Sequence, residues 1–296
     1  GSGGRRRRML MQIVTDSGCD LSDEQKRGLP IHVVPLGLVL NGVSYDKNHP
    51  ITPAEFYQKM VETDVYPNTS QASAGDFADV YRELSANGEE ILSIHISSGL
   101  SGTLNSAKVG GALVPNAKIT YWDSKTLSSG LGWQVQAAAL AIKKGWSLDK
   151  ILERLALIRD QVDGMFTLKE MRYLIHGGRV SHLEGLMAQV LNVKPIIAVE
   201  HEKGTYVTAG KLINFKRALA QIVEINYEKF KNEKVRAQIV HGINPEGVEY
   251  LKEKLQEKLD VVFEEVLPVS PVLGAHTGPT LTGLIIGPMS LFADLI

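Results

Sequence analysis

The sequence predicts an α/β protein in which a parallel sheet, covered by helices on both faces, is followed by a second region with a mixed sheet. Apolar strand patterns near residues 12, 31, 91 and 118 alternate with helical patterns, which is typical of a parallel sheet between two helical layers. In the second half, Glu202-Lys203-Gly204 separates two short strand patterns and predicts a hairpin, so antiparallel pairs are expected there. A chain of 296 residues is long enough for two domains with their own cores.

Composition and charge exclude several classes of protein. The content of hydrophobic residues is 44% and that of charged residues 22%, which is typical of a globular chain. Residues 1–8, Gly-Ser-Gly-Gly followed by Arg5 to Arg8, resemble an engineered leader. Without those four arginines the formal net charge changes from -1 to -5, and the only basic run suited to nucleic acid is lost. Cys19 is the only cysteine, which excludes disulfides within the chain and cysteine-based zinc sites.

No targeting or membrane segment is expected. No apolar run reaches the ~20 residues that a bilayer-spanning helix needs, and Met9 to Val14 runs directly into the first strand pattern. We therefore expect a cytoplasmic protein without stable membrane insertion.

Boundary signals define the elements of the first half. Asn41-Gly42 predicts a two-residue hairpin turn after an apolar strand, and Thr52-Pro53-Ala54-Glu55 is a helix start with a capping residue and proline at the first helical position. The expected elements are strand Gln12–Thr15, strand Ile31–Leu40, a helix to Thr63, a polar loop Asn68–Ser73, a helix from Ser73 to Ala86, strand Ile91–Ile96, strand Lys118–Trp122, and helices Ser129–Lys144 and Ser147–Gln161.

The stretch Ser97-Ser98-Gly99-Leu100-Ser101-Gly102-Thr103 follows the strand Ile91–Ile96 and precedes a helical pattern. Ligands of open α/β sheets bind at the carboxyl ends of strands, where the N-terminus of the next helix favours an anion. Four hydroxyls and two glycines in seven residues therefore indicate a site for an anionic head group. The alternative is a capped helix start with no ligand.

The second domain is expected at residues 163–296, after a first domain at residues 9–162. Its predicted elements are strands Gly164–Thr167, Ile196–Val199, Thr205–Thr208, Val235–His241 and Val261–Val266, with helices Phe215–Phe230 and Glu246–Lys258. Three further segments carry little charge: Met171–Val180, the apolar helix Leu183–Val193 and the glycine-bracketed turn Gly274–Pro279. Taken singly, the arginine and histidine in these segments fit structural roles.

Standard enzyme motifs are missing from the sequence. It has neither the phosphate-binding loop of nucleotide kinases nor a complete dinucleotide fingerprint, and its histidines lack metal-ligand spacing, so no metal is expected. A nucleophile made of Ser98 and His276 is conceivable, but the Gly-x-Ser-x-Gly elbow and an orienting acid are missing.

Five segments in order resemble the DegV family, the fatty-acid-binding subunits of the bacterial fatty acid kinase system. They are Thr15-Asp16-Ser17, Thr69-Ser70-Gln71-Ala72-Ser73, Ile96 to Thr103, Gly177-Gly178-Arg179 and Gly274 to Pro279. The resemblance extends from Met11 to about Ile286. It implies a three-layer α/β/α domain with a parallel sheet, a two-layer α/β domain with a mixed sheet, and one long-chain fatty acid buried between them.

The resemblance also implies roles for individual residues. The carboxylate is expected to contact Thr69, Ser98 and His276, whereas Arg179 is expected at the same head group or facing a kinase partner. Supporting loop residues are expected to be Asp16, Ser17, Ser97, Gly99, Ser101, Gly102, Thr103 and Gly278. Ala72 stands where the family often has proline, which is expected to loosen the Thr69 loop. Thr280 replaces a common glycine and is expected to shift the turn that presents His276.

The function implied is that of a carrier without a catalytic nucleophile or cofactor, which presents the fatty acid to a separate ATP-dependent kinase subunit for acyl phosphate formation. Two alternatives remain open at this point. One is a stand-alone phosphotransferase or hydrolase that uses Ser98 and His276, and the other is a lipid-sensing regulatory module.

Overall fold

The computed structural model describes residues 11–180, 183 and 192–296. The predicted leader at residues 1–8 lies outside these ranges, as does most of the predicted apolar helix Leu183–Val193. In chain order, the first half contains β1 (Met11–Asp16), α1 (Asp23–Lys26), β2 (Ile31–Val34), β3 (Gly37–Leu40), β4 (Val43–Tyr45), α2 (Pro53–Thr63), β5 (Asn68–Ser70), α3 (Ala74–Ala86), β6 (Glu90–His95), α4 (Thr103–Ala112), β7 (Ile119–Asp123), α5 (Ser128–Lys143) and α6 (Leu148–Gln161). The second half contains β8 (Asp163–Thr167), α7 (Arg172–His176), β9 (Lys194–Val199), β10 (Tyr206–Leu212), α8 (Phe215–Phe230), β11 (Val235–His241), α9 (Pro245–Lys258), β12 (Val261–Phe263), β13 (Leu267–Pro268), α10 (Pro271–Thr277) and β14 (Thr282–Pro288), followed by a 3-10 turn at Met289–Leu291.

Four of the described strands form the predicted parallel sheet, in the order β2-β1-β6-β7. Successive residues of its strands face opposite layers, as the twofold period of a strand requires. Val14 and Ile91 pack with α3 on one face, whereas Ile13 and Leu92 pack with α5 on the other. The three-layer α/β/α architecture is thereby confirmed.

The predicted strand Ile31–Leu40 is wrong as a single element, because the chain leaves the parallel sheet at Pro35. Proline has no N–H to donate to a sheet, so β2 ends before it and β3 belongs to a separate antiparallel sheet with β4 and β5. The hairpin turn at Asn41-Gly42 is confirmed, with positive φ angles of 51° and 78°. The predicted loop at Asn68 is instead β5, in which Thr69 lies opposite Leu38 of β3.

The second sheet is mixed, as predicted, with the strand order β10-β9-β8-β14-β11-β12 and β13 beside β11. Strand β11 is parallel to β12 and β13, and the other described pairs are antiparallel. Ile196, Ile239 and Leu284 pack among the apolar residues of α8 and α9. Their sequence neighbours Ile197, Val240 and Ile285 face the first domain. The second domain therefore has two layers. Helices cover one face of its sheet, and the other face packs against the first domain and forms the junction.

Several elements of the second domain differ from the expectation, including the predicted strand Val261–Val266, which ends at Phe263 as β12. Strand β14, which we did not predict, lies in the middle of the sheet. The predicted turn at Gly274–Pro279 is largely helix α10, which places His276 in a helical last turn. Gly278 ends that helix with φ 86°, and a Cβ atom there would lie 2.5 Å from the Tyr173 ring. These two constraints explain the glycine at this position.

Arg236 of β11 holds the junction between the domains. Its guanidinium is buried between the rings of Trp133 and Phe292, at 4.4 and 4.6 Å from the ring centroids. It also donates to the partly exposed Glu264 at 3.0 Å and to Gln136 of α5 at 2.6 Å, so its buried charge has an ionic partner. The predicted domain boundary falls between α6 and β8.

Asp20 forms a second link across the junction. Its buried carboxylate accepts hydrogen bonds from the Ser128 hydroxyl at 2.7 Å and from the Ser270 backbone N–H, just before α10, at 3.3 Å. Burial raises the pKa of Asp20 to about 6, and these hydrogen bonds act in the opposite direction.

We expect Asp20 to make the protein less stable as pH rises from about 4 to about 6. Its pKa is about 6 in the folded state against 3.8 as the reference, so the folded state binds this proton more tightly than the unfolded chain does. Asp20→Asn should be more stable than the parent at pH 7 by up to about 3 kcal/mol, and the difference should vanish near pH 4. Urea denaturation across this pH range measures the difference in the free energy of unfolding between the parent and the variant. The exposed Asp23→Asn variant is the control, and a parent-variant difference that does not change with pH would contradict the assignment.

Candidate functional site

Side chains from separate segments meet around a polar cavity at the junction of the two domains. The Thr69 hydroxyl of β5 lies 2.5 Å from Nε2 of His276 in α10, and Nδ1 of His276 lies 3.2 Å from Nη1 of Arg179. Ser101 and Gln71 also line this cavity. Residues 69, 101, 179 and 276 therefore form one group, although they are far apart in the chain.

The hydrogen bonds fix the tautomer of His276. An arginine can only donate, so Nδ1 of His276 must accept from Arg179 and the ring proton must be on Nε2. Nε2–H then donates to the Thr69 oxygen, which leaves the Thr69 hydroxyl hydrogen available for another acceptor. Burial, with the nearby charges of Arg179 and His176, lowers the pKa of His276 to about 4, so the ring is neutral at pH 7.

Arg179 is half-buried beside this histidine. It donates to the backbone carbonyls of Leu100 at 2.9 Å and Gly177 at 2.8 Å. Burial lowers the pKa of Arg179, but an arginine keeps its charge at neutral pH. Among the described residues, none accepts a hydrogen bond from its Nη2. The double glycine before Arg179 allows the close approach, since a Cβ atom on Gly177 would collide with the His276 ring.

The four hydroxyls of the Ser97–Thr103 loop have different surroundings. Ser97 is buried and donates to the Gly204 carbonyl at 2.7 Å, whereas Ser98 is exposed and donates to the Asp123 carboxylate at 2.5 Å. Thr103 is buried, and Ser101 alone of the four lines the polar cavity. The structure therefore brings Thr69, His276 and Arg179 together, whereas Ser98 does not line the same cavity and its hydroxyl donates to Asp123.

Most supporting residues hold the loops in place. Asp16 is buried and accepts from the backbone N–H of Gly18 at 2.8 Å and of Ile96 at 3.0 Å, so it fixes the start of the loop. Ser17 accepts from the Leu36 N–H at 2.9 Å. The hairpin between β9 and β10 lies against Gly99, where a Cβ atom would be 2.5 Å from the Lys203 carbonyl. Gly102 makes room for the Gln71 side chain in the same way.

The two departures from the family pattern have structural roles. Ala72 is buried, and its N–H donates to Thr103 at 3.4 Å, a bond that proline cannot make. The Thr69 loop is thus attached to α4 at this point, contrary to the loosening that we expected. Thr280 accepts from the Lys169 N–H at 2.9 Å, which ties its own segment to the chain that follows β8.

An apolar cavity adjoins the polar one, and the two share Leu127, Tyr206 and Leu273 as wall residues. Phe166 and Ile285 from the second sheet also line it, and none of its described lining residues is charged. The sequence did not single out these residues, because they come from many short segments. Their one local signal is the apolar run that forms β14.

A buried hydroxyl, imidazole and carboxylate also lie in a row, but they cannot form a nucleophilic site. Ser93 is 2.6 Å from Nε2 of His95, whose Nδ1 is 2.9 Å from Asp16. All three side chains are fully buried, and Ser93 is already bonded to the Tyr81 hydroxyl at 2.6 Å. This network stabilises the first sheet beneath the loop. Across the described ranges, no three His, Cys, Asp or Glu side chains are grouped closely enough to hold a metal ion. None of the described helices has the length and apolar content needed to cross a membrane.

Comparisons with known proteins agree on one family. The family model described as "Uncharacterised protein, DegV family" matches residues 11–288. A DegV domain-containing protein of Staphylococcus aureus is 35% identical over 281 residues, covering 93% of this chain and 97% of its own length. A DegV family protein from Thermus thermophilus, described by its fatty acid binding, superposes with a TM-score of 0.87 at 31% identity, covering 95% of this chain and 100% of that one. A stearic acid-binding protein from Eubacterium ventriosum superposes with a TM-score of 0.85 at 27% identity, covering 94% of this chain and 98% of that one.

We expect His276 to remain neutral down to about pH 4, with its proton on Nε2. Nitrogen-15 chemical shifts of the imidazole, followed by NMR through a pH titration, report both properties. Arg179→Met should raise the pKa of His276, because it removes a positive charge, but should leave it below 6.5 because burial remains. His176→Gln, the matched control, should raise it less. A parent pKa near 6.5, or a proton on Nδ1, would contradict the proposed hydrogen-bond chain.

Proposed function

Because the chain belongs to the DegV family, we propose that it binds a long-chain fatty acid, with the carboxylate in the polar cavity and the acyl chain in the apolar cavity. The observation that carries this proposal is the shared wall of Leu127, Tyr206 and Leu273 between the two cavities. One amphipathic molecule can occupy both at once. The related proteins from Thermus thermophilus and Eubacterium ventriosum, described as binding fatty acid and stearic acid, support the same ligand class.

The carboxylate needs several donors, because an ion that is buried without partners costs many kcal/mol. Thr69 supplies a hydroxyl hydrogen whose direction is set by the His276 tautomer. Arg179 supplies a positive charge, and Ser101 supplies a second hydroxyl on the cavity wall. In this arrangement Ser101 takes the place that the family resemblance gave to Ser98.

The acyl chain provides most of the gross affinity. Burial of each methylene is worth ~0.8 kcal/mol, so about a dozen methylenes give a gross gain near ~10 kcal/mol before the costs of binding are deducted. Walls such as Phe166, Leu273 and Ile285 offer no polar group that would compete with this gain.

We further propose that the protein presents the bound carboxylate to a separate ATP-dependent kinase subunit. The sequence contains no phosphate-binding loop, so the phosphoryl donor would have to be held by a partner. The stand-alone enzyme that uses Ser98 and His276 is less favoured, because Ser98 donates to Asp123 while His276 bonds to Thr69 and Arg179. A lipid-sensing module would use the same ligand site but a different partner.

The head-group assignment predicts which hydroxyls matter. In delipidated protein, Thr69→Val and Ser101→Ala should each weaken stearate binding about ten- to a hundredfold, because each removes a hydrogen bond to a charged group. Ser98→Ala is the matched control and should bind like the parent. Isothermal titration calorimetry with stearate and with stearyl alcohol measures the affinities. The two substitutions should weaken binding of the alcohol less than binding of stearate. If Ser98→Ala weakens binding as much as Thr69→Val does, with unchanged thermal melting, the carboxylate lies at Ser98 instead.

The carrier role predicts that this chain alone does not phosphorylate its ligand. Delipidated protein, stearate and ATP should give no acyl phosphate until a fatty acid kinase subunit is added, because the sequence carries neither the phosphate-binding loop nor a complete dinucleotide fingerprint. Trapping of the acyl phosphate with hydroxylamine detects the product. Formation of acyl phosphate without the added subunit would support the enzyme alternative.

A further inference from the structure

Gly164, in strand β8, has no structural reason to be a glycine. Its φ angle is not in the left-handed region, and none of the described atoms lies within 4 Å of the position that a Cβ atom would occupy. A glycine inside a strand weakens the strand, and it often marks a place where a ligand approaches closely. Gly283 of β14 is different, because a Cβ atom there would lie 3.1 Å from Phe166 and 3.2 Å from the Met165 carbonyl.

The empty space beside Gly164 is on the cavity side of the sheet. Phe166, two residues along the same strand, lines the apolar cavity, and residues two apart in a strand share a face. Gly164 also lies opposite Ile285 of β14, which lines that cavity as well. A side chain at residue 164 would therefore project into the space assigned to the acyl chain.

The apolar cavity gives way to polar surroundings beside Gly164. A second, much smaller space of about 10 Å³ begins there, with room for about one water, and it shares Thr126, Gly164 and Val199 with the apolar cavity. Its lining is largely polar or charged and includes Asp163 and His201, which are bonded to each other at 2.6 Å. An acyl chain cannot displace such paired polar groups favourably, so this space closes the apolar cavity on the side of Gly164.

We propose that Gly164 determines the longest acyl chain that the protein accepts, because its missing side chain leaves room on the side of the apolar cavity where the lining becomes polar. This inference rests on the proposed function and adds a specificity-determining residue to it. The open space allows the last methylenes of a long chain to be buried, and a side chain at residue 164 would occupy their place.

Chain-length profiles of residue 164 variants test the proposal. Competition of lauric, myristic, palmitic and stearic acids against a fluorescent fatty acid, with delipidated protein, gives the affinities. Gly164→Val should weaken stearate binding about tenfold, since its side chain displaces roughly two methylenes of ~0.8 kcal/mol each. Gly164→Ala should weaken it about threefold, and laurate should be affected least by either change.

Gly210→Ala is the matched control, because Gly210 is a strand glycine of the same sheet whose Cβ atom would meet Ile196, on the helix-covered face. It should leave the profile unchanged, and thermal melting of the ligand-free variants checks the fold. An unchanged preference for stearate in Gly164→Val, or an equal loss for all four acids, would overturn the role of Gly164 while leaving fatty acid binding intact. Failure of the parent to bind any of the acids would instead overturn the proposed function, and this inference with it.

Discussion

The hydrogen-bond chain from Thr69 through His276 to Arg179 is the interaction on which the candidate site depends. It joins a short strand of the first domain to a helix and a loop of the second, so it exists only when the domains are packed together. Because arginine can only donate, one end of the chain fixes the direction of every bond and leaves the Thr69 hydroxyl hydrogen free. The neutral His276 ring accepts a hydrogen bond from the charged Arg179 and donates one to Thr69. The hydroxyl hydrogen of Thr69 therefore remains available for another acceptor.

The domain junction that supports these hydrogen bonds combines close packing around buried polar groups with an unfilled apolar cavity. Arg236 between Trp133 and Phe292, and Asp20 between Ser128 and Ser270, hold the domains together with buried polar groups. Such groups are costly unless each has its partners, so they permit few alternative arrangements of the two domains. The free face of the second sheet lies across from the first domain, and the apolar cavity remains between them. Rigid surroundings of this kind can keep a ligand space open without collapse.

Several glycines of this protein matter because they lack a side chain and leave space beside the backbone. At Gly177 and Gly99 a Cβ atom would collide with the His276 ring or with the hairpin backbone, so these glycines bring segments of the protein together. At Gly164 the space is open and faces the cavity. The same residue type therefore permits close packing in one place and leaves open space in another, and the difference is visible only from what surrounds each position.

The sequence by itself determined most of the strands and helices, because the alternation of apolar runs, the hairpin turn at Asn41-Gly42 and the helix caps at Thr52 and Ser73 are local signals. Its ordered motifs also indicated the family, and they named Thr69 and His276, which the structure brings within 2.5 Å of each other. Only the tertiary structure decided that β3 leaves the first sheet after Pro35 and that β14 lies at the centre of the second. It also decided which hydroxyl of the Ser97–Thr103 loop faces the site. The sequence alone does not distinguish Ser98 from Ser101. In the structure Ser98 donates to Asp123 of β7, whereas Ser101 lies beside Thr103 and lines the polar cavity. The cavity walls could not be read from the sequence either. Each wall consists of single residues from many elements, and these residues become neighbours only when the domains pack together.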